Sequence, residues 1–116
     1  MPEEKELLSS LVLELRRGTI VLGVLSQLGK PMYGYLLVQT LSEAGIAVEA
    51  NTLYPLLRRL EKQGLLQSEW EVGEAKPRKY YLRTPLGNGL YQRLKGQWEE
   101  TVATMTALMK QEEEQR

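Results

Sequence analysis

The alternation of apolar and polar residues is most regular over residues 51–66. Apolar side chains recur there at the helical spacing of i, i+3, i+4 and i+7, at Leu53, Leu56, Leu57 and Leu60. The opposite face carries a mostly basic set of hydrogen-bond donors, namely Tyr54, Arg58, Arg59 and Lys62. The pattern predicts an amphipathic helix that ends at Gly64, because glycine commonly follows a helix C-terminus.

The start of this helix is predicted at Asn51 or Thr52, since either residue suits an N-cap position. Pro55 then falls in the first turn, where its missing N–H matters least. A short helix with donors on its outer face fits the major groove of DNA. The alternative is a plain solvated face, which is the commoner role of basic residues opposite a leucine stripe.

Two shorter segments after Gly64 predict a β-hairpin. Residues 65–72 and 79–83 are expected to form strands, joined by a loop over residues 73–77. Tyr80 and Tyr81 alternate across the second strand, so one of the two is expected in the core. Helix, strand, basic loop and strand in this order predict a winged helix-turn-helix, with the hairpin as its wing.

Helical patterns also precede this unit. One helix is expected over residues 4–28, with an apolar stripe. Gly18 and Gly23 within it are expected to pack closely against another helix, and the alternative is that these small residues leave room for a ligand. Residues 33–44 are expected to form a second helix, which ends at Gly45. Residues 46–48 are expected to form a short strand or to cross the core without one. Glu61 is expected to pair with Arg58 or Lys62.

The last helix is predicted over residues 85–111, where Thr84 is a good N-cap and Pro85 suits the first helical position. Seam residues step by four or three positions, at Leu90, Leu94, Trp98, Thr101, Met105 and Leu108. A helix about 40 Å long is too long to bury this seam against so small a domain. We therefore expect a homodimer, in which this helix also packs against the first helix of the partner. The predicted fold is α+β and mainly α, with residues 1–83 as the winged helix-turn-helix domain and residues 84–116 as the dimerisation helix.

Composition excludes several classes of function. The 116 residues are 42% apolar and contain no Cys, His, Asp or Phe. The usual transition-metal ligands and the commonest general base are therefore missing, so we expect no metal site, no cofactor and no catalytic residue. No apolar run is long enough to cross a membrane, and the acidic N-terminal segment lacks the basic start of a signal peptide. We expect a cytoplasmic protein that is not an enzyme.

The formal net charge is zero, which alone argues against a nucleic-acid partner. The charges are segregated, however, with seven basic residues and four glutamates over residues 51–83. Residues 96–116 hold two basic residues and five glutamates. A basic face and an acidic tail are both expected from this distribution.

The sequence resembles the PadR family of bacterial transcriptional regulators. The matching residues are Tyr33-Gly34-Tyr35, residues 52–61, Gly64-Leu65, Trp70, residues 77–81, Thr84 and Gly87. The single helix after the wing is similar to the small subfamily, one member of which binds many drugs. The resemblance implies a winged-helix dimer that binds double-stranded DNA and represses transcription. The symmetry of such a dimer predicts a roughly palindromic operator, with half-sites about one turn, or about 10 bp, apart.

The resemblance also implies site residues. Those at or near DNA are Tyr33, Asn51, Thr52, Tyr54 and Arg58, and the wing residues on phosphate are Lys76, Arg78 and Lys79. Arg59 and Lys62 join them as cations of the predicted helix. A small aromatic ligand is implied at the dimer centre, against Trp98, Gly18, Thr19 and Val102. Trp98 has the alternative role of packing the dimer seam, and Tyr33 and Tyr54 that of aromatics at the edge of the core.

Two other functions remain open from the sequence. Zero net charge and the acidic tail also fit a winged-helix module that binds proteins and never contacts DNA. Trp98 alone would also fit a small-molecule-binding protein with no role in transcription.

Overall fold

The computed structural model describes residues 2–73 and 76–115 of the chain. Its elements, in chain order, are α1 Pro2–Arg16, α2 Thr19–Gln27, β1 Met32–Tyr33, α3 Gly34–Glu43, α4 Ala50–Lys62, β2 Leu66–Glu71, β3 Arg78–Arg83 and α5 Pro85–Glu114. Helices α3 and α4 form the helix-turn-helix, and strands β2 and β3 form the wing. The predicted fold, mainly helical with a small antiparallel sheet, is confirmed.

The core lies where α2, α3 and α4 meet the sheet. Its buried side chains are Val24, Leu25, Leu28, Leu37, Leu41, Val48, Leu53, Leu56, Leu57, Leu60, Leu66 and Tyr81. The four leucines predicted to form the apolar face of α4 are therefore all in the core. Tyr81 is buried and Tyr80 is half-buried, so the prediction that one of them joins the core is also confirmed.

The first predicted helix is wrong in one respect, because α1 and α2 are separate helices divided at residues 17–18. The Thr19 hydroxyl donates to the Arg16 carbonyl at 2.7 Å, taking an acceptor that a continuous helix would use. Gly18 has open space where a Cβ would stand, so it weakens the helix without serving close packing. Gly23 does pack closely, since its Cβ would lie 3.2 Å from the Ile46 side chain.

Glycine ends α3 and α4 as predicted. Gly45 and Gly64 have φ values of +102° and +83°, in the left-handed region that glycine enters without strain. After α4, the Gly64 N–H donates to Glu61 O at 3.0 Å and the Leu65 N–H to Leu60 O at 2.9 Å. This Schellman pair satisfies the last carbonyls of the helix and turns the chain into β2.

The predicted start of α4 is wrong. Glu49 occupies the N-cap position, and its carbonyl accepts from the N–H groups of Thr52 and Leu53 at 3.0 and 2.9 Å. Asn51 consequently lies inside the first turn, and Pro55 lies in the second turn rather than the first. Because proline has no N–H, the Asn51 carbonyl lacks the donor that a helix normally supplies four residues later.

Strand β1 was not predicted, since two residues carry no periodic signal. It pairs antiparallel with β3, which places Tyr33 opposite Tyr80 and gives the sheet the order β1-β3-β2. Tyr33 is consequently the N-cap residue of α3, so that helix begins one residue later than expected. Residues 46–48 form no strand and cross the core, where Val48 is buried.

Helix α5 begins as predicted at Pro85, and the Thr84 side chain accepts from the Gly87 N–H at 2.9 Å. It runs for 30 residues, three beyond the predicted end, and spans about 45 Å at 1.5 Å per residue. The long helix gives the chain extents of 64 × 37 × 22 Å. Among the described residues, no helix has the length and apolar content needed to cross a membrane.

Candidate nucleic-acid interface

The outward face of α4 is mostly basic and polar, and the exposed Pro55 also lies on it. Residues seven and eleven positions apart lie on nearly the same side of a helix. Asn51, Arg58 and Lys62 therefore share one face, directly opposite the buried leucines, and all three are exposed. Their donors reach solvent together along three turns, which is the arrangement that a helix needs to lie in a major groove.

Tyr54 lies on the flank of α4 that faces the wing, and its ring is half-buried against α3. A Cβ on Gly34 would lie 2.7 Å from the Tyr54 Cζ and hydroxyl oxygen. Glycine at this position therefore lets the first turn of α3 approach the ring. The contact fixes Tyr54 beside the start of both helices of the helix-turn-helix.

Arg78 and the two tyrosines opposite each other in the sheet form a stacked group. The Arg78 guanidinium carbon lies 4.5 Å from the centroid of the Tyr33 ring. The rings of Tyr33 and Tyr80 meet edge to face with centroids 5.7 Å apart. Such stacking restricts a long side chain to one region, so Arg78 is held at the loop end of the wing, where β3 begins.

A groove of about 670 Å³ opens between the wing, α4 and the start of α3. Some of its lining residues were assigned to DNA from the sequence and others were not. The lining consists of Tyr33, Gly34, Tyr35, Tyr54, Trp70, Lys76, Pro77, Arg78 and Lys79. The four additions are Gly34, Pro77 and the aromatics Tyr35 and Trp70, whose exposed fractions are 61% and 63%. Both aromatics are among the residues that carry the family resemblance, but their place in this groove follows only from the folded chain.

Lys79 has a partner within the protein. Its Nζ lies 3.5 Å from a Glu61 carboxylate oxygen, and the other oxygen accepts a hydrogen bond from the Ser68 hydroxyl. The expectation that Glu61 pairs with Arg58 or Lys62 is therefore wrong. Glu61 lies on the wing-facing flank of α4, about 80° away from the face that carries Arg58, so Lys79 is nearer.

Arg59 and Thr52 lie on the other flank of α4. Arg59 lines a separate cleft of about 450 Å³ between α2, α4 and α5, together with Arg93 and the apolar side chains of Val21 and Leu94. The structure therefore does not bring Arg59 to the groove beside the wing. Lys76 is exposed near the hairpin tip, whose Glu74 and Ala75 lie outside the described residues.

Three of the four residues assigned to a ligand line a crevice of about 240 Å³ between α2 and α5. Its lining is Leu15, Gly18, Thr19, Leu22, Leu94, Gln97, Trp98 and Thr101. Gly18, Thr19 and Trp98 are thus brought together as the sequence implied, whereas Val102 is not part of the crevice. Trp98 keeps 45% of its surface exposed.

Comparison of the sequence and the fold with known proteins identifies the family of this chain. The Transcriptional regulator PadR-like family matches residues 21–93. One similar crystal structure is that of a PadR family transcriptional regulator from Eggerthella lenta. The two sequences are 51% identical, the TM-score is 0.89, and the match covers 94% of this chain and 97% of that one. A PadR-like transcriptional regulator from Bacillus cereus is 26% identical with a TM-score of 0.76, covering 83% of this chain and 96% of that one.

A curated relative agrees with these structures. A transcriptional regulator of Mycobacterium tuberculosis is 40% identical over 75 residues, which cover 64% of this chain and 70% of the relative. The proteins that this chain resembles are regulators of transcription and not enzymes. The chain belongs to the PadR family and is a DNA-binding transcriptional regulator.

Proposed function

We propose that this regulator is a homodimeric repressor that binds a palindromic operator and leaves it when a small aromatic molecule occupies the dimer centre. The observation that carries the proposal is the exposed basic face of α4 beside a basic wing. A repressor needs no more than this surface, because occupancy of a promoter by a tightly bound dimer excludes polymerase. Chromosomal DNA as the partner would place its action in the cytoplasm.

Uncovered apolar side chains support the dimer. On α1, Leu7, Leu8 and Leu11 each expose more than 60% of their surface. On α5, the seam from Trp98 through Met105 to Leu108 is 45% to 52% exposed. Large apolar side chains exposed along the faces of two helices mark a protein interface. The seam repeats in heptad-like steps, so a second copy of α5, with α1 packed beside it, is the partner that fits.

The two copies of α4 would then read two half-sites. In helix-turn-helix dimers, the two recognition helices enter successive major grooves about 10 bp apart on one face of the duplex. Asn51, Arg58 and Lys62 would approach base edges and flanking phosphates, with Tyr54 beside them. Lys76 and Arg78 of the wing would hold the backbone, which fixes register without reading sequence.

The crevice beside Trp98 supports the ligand. Two copies of a 240 Å³ crevice, joined across a dimer axis, would enter the size range of small-molecule sites, about 300–1,000 Å³. The described lining includes no carboxylate, so neutral flat aromatics are favoured over cations. Trp98 would supply the stacking surface. Helix α2 lines the crevice and also packs in the core of the DNA-binding domain. An occupant of the crevice would therefore alter the spacing between the DNA-binding domains of the two protomers.

The central experiment is a mobility-shift titration with the promoter of the regulator's own gene. Arg58→Ala and Arg78→Ala should each weaken binding, and each should reduce the slope of log affinity against log salt by about 0.9 per lost phosphate contact. Arg17→Ala, at an exposed position between α1 and α2, is the matched control and should change nothing. Wild-type affinity in both test variants would contradict the DNA-binding surface.

The ligand and the sign of regulation need separate measurements. Trp70→Phe leaves Trp98 as the sole tryptophan, so quenching of its fluorescence by a planar neutral aromatic would report the crevice. A promoter fused to a reporter should give higher expression in a strain lacking the regulator. Lower expression there would show an activator, and native mass spectrometry giving one chain per particle would contradict the dimer.

A further inference from the structure

Arg83, the last residue of β3, connects three parts of the molecule through one side chain. Its Nη1 donates to the Leu25 carbonyl at 2.8 Å, in the last turn of α2. Its Nε donates to Asn88 Oδ1 at 2.9 Å, and its guanidinium carbon lies 4.3 Å from the centroid of the Tyr91 ring. Asn88 and Tyr91 stand three residues apart on one face of α5. The side chain therefore joins the wing strand to both α2 and α5.

The surroundings of Arg83 fit a planar guanidinium closely. A Cβ on Gly29 would lie 2.8 Å from the Nη2 atom, so the glycine leaves the room that the plane occupies. The Arg83 backbone N–H also donates to the Leu28 carbonyl at 2.8 Å, which holds the strand end against the end of α2. A cation at a helix C-terminus is favoured by the helix dipole. Lysine would keep the charge but lose the two fixed donor directions.

Other contacts position the start of α5 without setting its direction. The Thr84 N–H donates to Leu65 O at 3.0 Å, and the Thr84 hydroxyl donates to Gly64 O at 2.6 Å. Both contacts are made by the residue just before the helix. A helix held at one end can still tilt, and the contacts that oppose tilting are the close approach of Gly87 to Leu65, the packing of α5 on α2 and the Arg83 group.

Tilting of α5 matters because the helix is long. Thr101 on the seam lies 16 residues beyond Pro85, or about 24 Å along the axis at 1.5 Å per residue. A tilt of about 10° moves that point by about 4 Å, close to the rise of about 3.4 Å for one base pair. In a dimer joined through α5, the same tilt shifts each DNA-binding domain by about one base pair.

We infer that Arg83 is a positioning residue that sets the separation of the two DNA-binding domains, and with it the operator half-site spacing that the dimer accepts. The inference rests on the proposed dimer and adds to it the group that determines spacing. Arg83 need not contact DNA for this role. It acts by holding the angle between α5 and the sheet.

The first test measures the dimer without DNA. The chain has no cysteine, so Glu43→Cys, at the exposed end of α3, gives one spin label per protomer. Pulsed electron paramagnetic resonance then reports the distance between the two DNA-binding domains. We expect one narrow distribution in the wild type, and one about twofold wider in Arg83→Lys and Asn88→Ala, which lose the fixed donor pair or its acceptor on α5. Gln92→Ala, an exposed amide on the same helix, is the control.

The second test measures spacing preference on DNA. Half-sites are separated in steps of one base pair around one helical turn, about 10 bp. We expect affinity at the best spacing to exceed that one base pair away by about tenfold in the wild type and by about twofold in the two variants, because a looser linkage engages more spacings. Affinity for an isolated half-site should stay the same.

The outcomes separate the two proposals. Wild-type distance distributions and spacing profiles in both variants would overturn the role of Arg83 and leave the dimeric repressor intact. A lower melting temperature with an unchanged distribution would also overturn it, because that is what a merely stabilising residue would give. A wild-type protein that is monomeric or binds no operator would instead contradict the proposed function itself.

Discussion

Replacing Gly87 by alanine is expected to destabilise the protein strongly, although alanine usually favours a helix. Gly87 is buried in the first turn of α5, and its N–H donates to the Thr84 cap at 2.9 Å. A Cβ there would overlap the Leu65 carbonyl oxygen and lie 3.0 Å from the carbonyl carbon. Both atoms belong to the main chain, so no side-chain rotation can relieve the clash. The helix start must move away from Leu65, the residue just before β2.

The size of the effect follows from three contributions. Forcing a methyl group into a packed site costs about 1–3 kcal/mol, and a rigid main-chain neighbour puts this case at the upper end. Movement of the helix start weakens the Thr84 cap, a contact worth about 1 kcal/mol. Alanine returns about 0.5–1 kcal/mol through lower chain entropy. The net loss is about 2–3 kcal/mol, or about 8–12 °C in melting temperature at about 4 °C per kcal/mol.

Thermal unfolding followed by circular dichroism measures this loss. All variants must be compared at one protomer concentration, because the melting temperature of an oligomer depends on it. Gly89→Ala is the matched control, since it lies in the same helix with nothing within 4 Å of its Cβ. It should raise the melting temperature by about 2–4 °C. Equal melting temperatures for Gly87→Ala and Gly89→Ala would refute the steric argument.

Two further predictions concern the wing and the helix-turn-helix. Glu61→Gln should release Lys79 to contact DNA, so the slope of log operator affinity against log salt should steepen by up to about one unit. The free energy of unfolding should change by less than about 1 kcal/mol. An unchanged slope in a salt titration would contradict the release. Gly34→Ala should lose about 1–3 kcal/mol in thermal unfolding because its methyl group meets the Tyr54 ring, and Tyr54→Ala should remove most of that penalty; additive effects in the double variant would argue against this contact.

Much of the fold could be predicted because it depends on local chemistry. The leucine spacing of α4 gave its buried face, and left-handed glycines at Gly45 and Gly64 ended two helices where expected. Thr84 and Pro85 located the start of α5 to the residue. Each of these signals acts within one or two turns of chain, so no knowledge of the tertiary structure was needed.

Two errors, the missed strand β1 and the partner of Glu61, arose where distant parts of the chain decide. Strand β1 exists only because Tyr33 pairs with Tyr80, 47 residues later, and two residues show no period of their own. Glu61 forms an ion pair with Lys79 rather than with Arg58 or Lys62 of its own helix, because the wing folds back beside α4. Arg59 looked equivalent to Arg58 in the sequence, yet one position along a helix is a turn of about 100° and leads to a different cleft.

The candidate site could be predicted only in part, because some of its residues are grouped by local helical period and others by contacts between distant parts of the chain. Residues on the outer face of α4 share a helical side, so their grouping follows from the period. The groove beside the wing joins α3, α4 and the hairpin, and only the folded chain shows that Tyr35 and Trp70 line it. The Arg83 group has no sequence signal at all, because its partners come from α2 and α5.

The outline of 64 × 37 × 22 Å has a practical consequence for anyone who purifies the protein. A slender particle experiences more friction in water than a sphere of equal mass, so it elutes early from a gel-filtration column. One chain of 13.3 kDa could then run at the volume of a larger globular standard and be taken for a pair. Light scattering or sedimentation equilibrium, whose readings do not depend on shape, should be used to count the subunits.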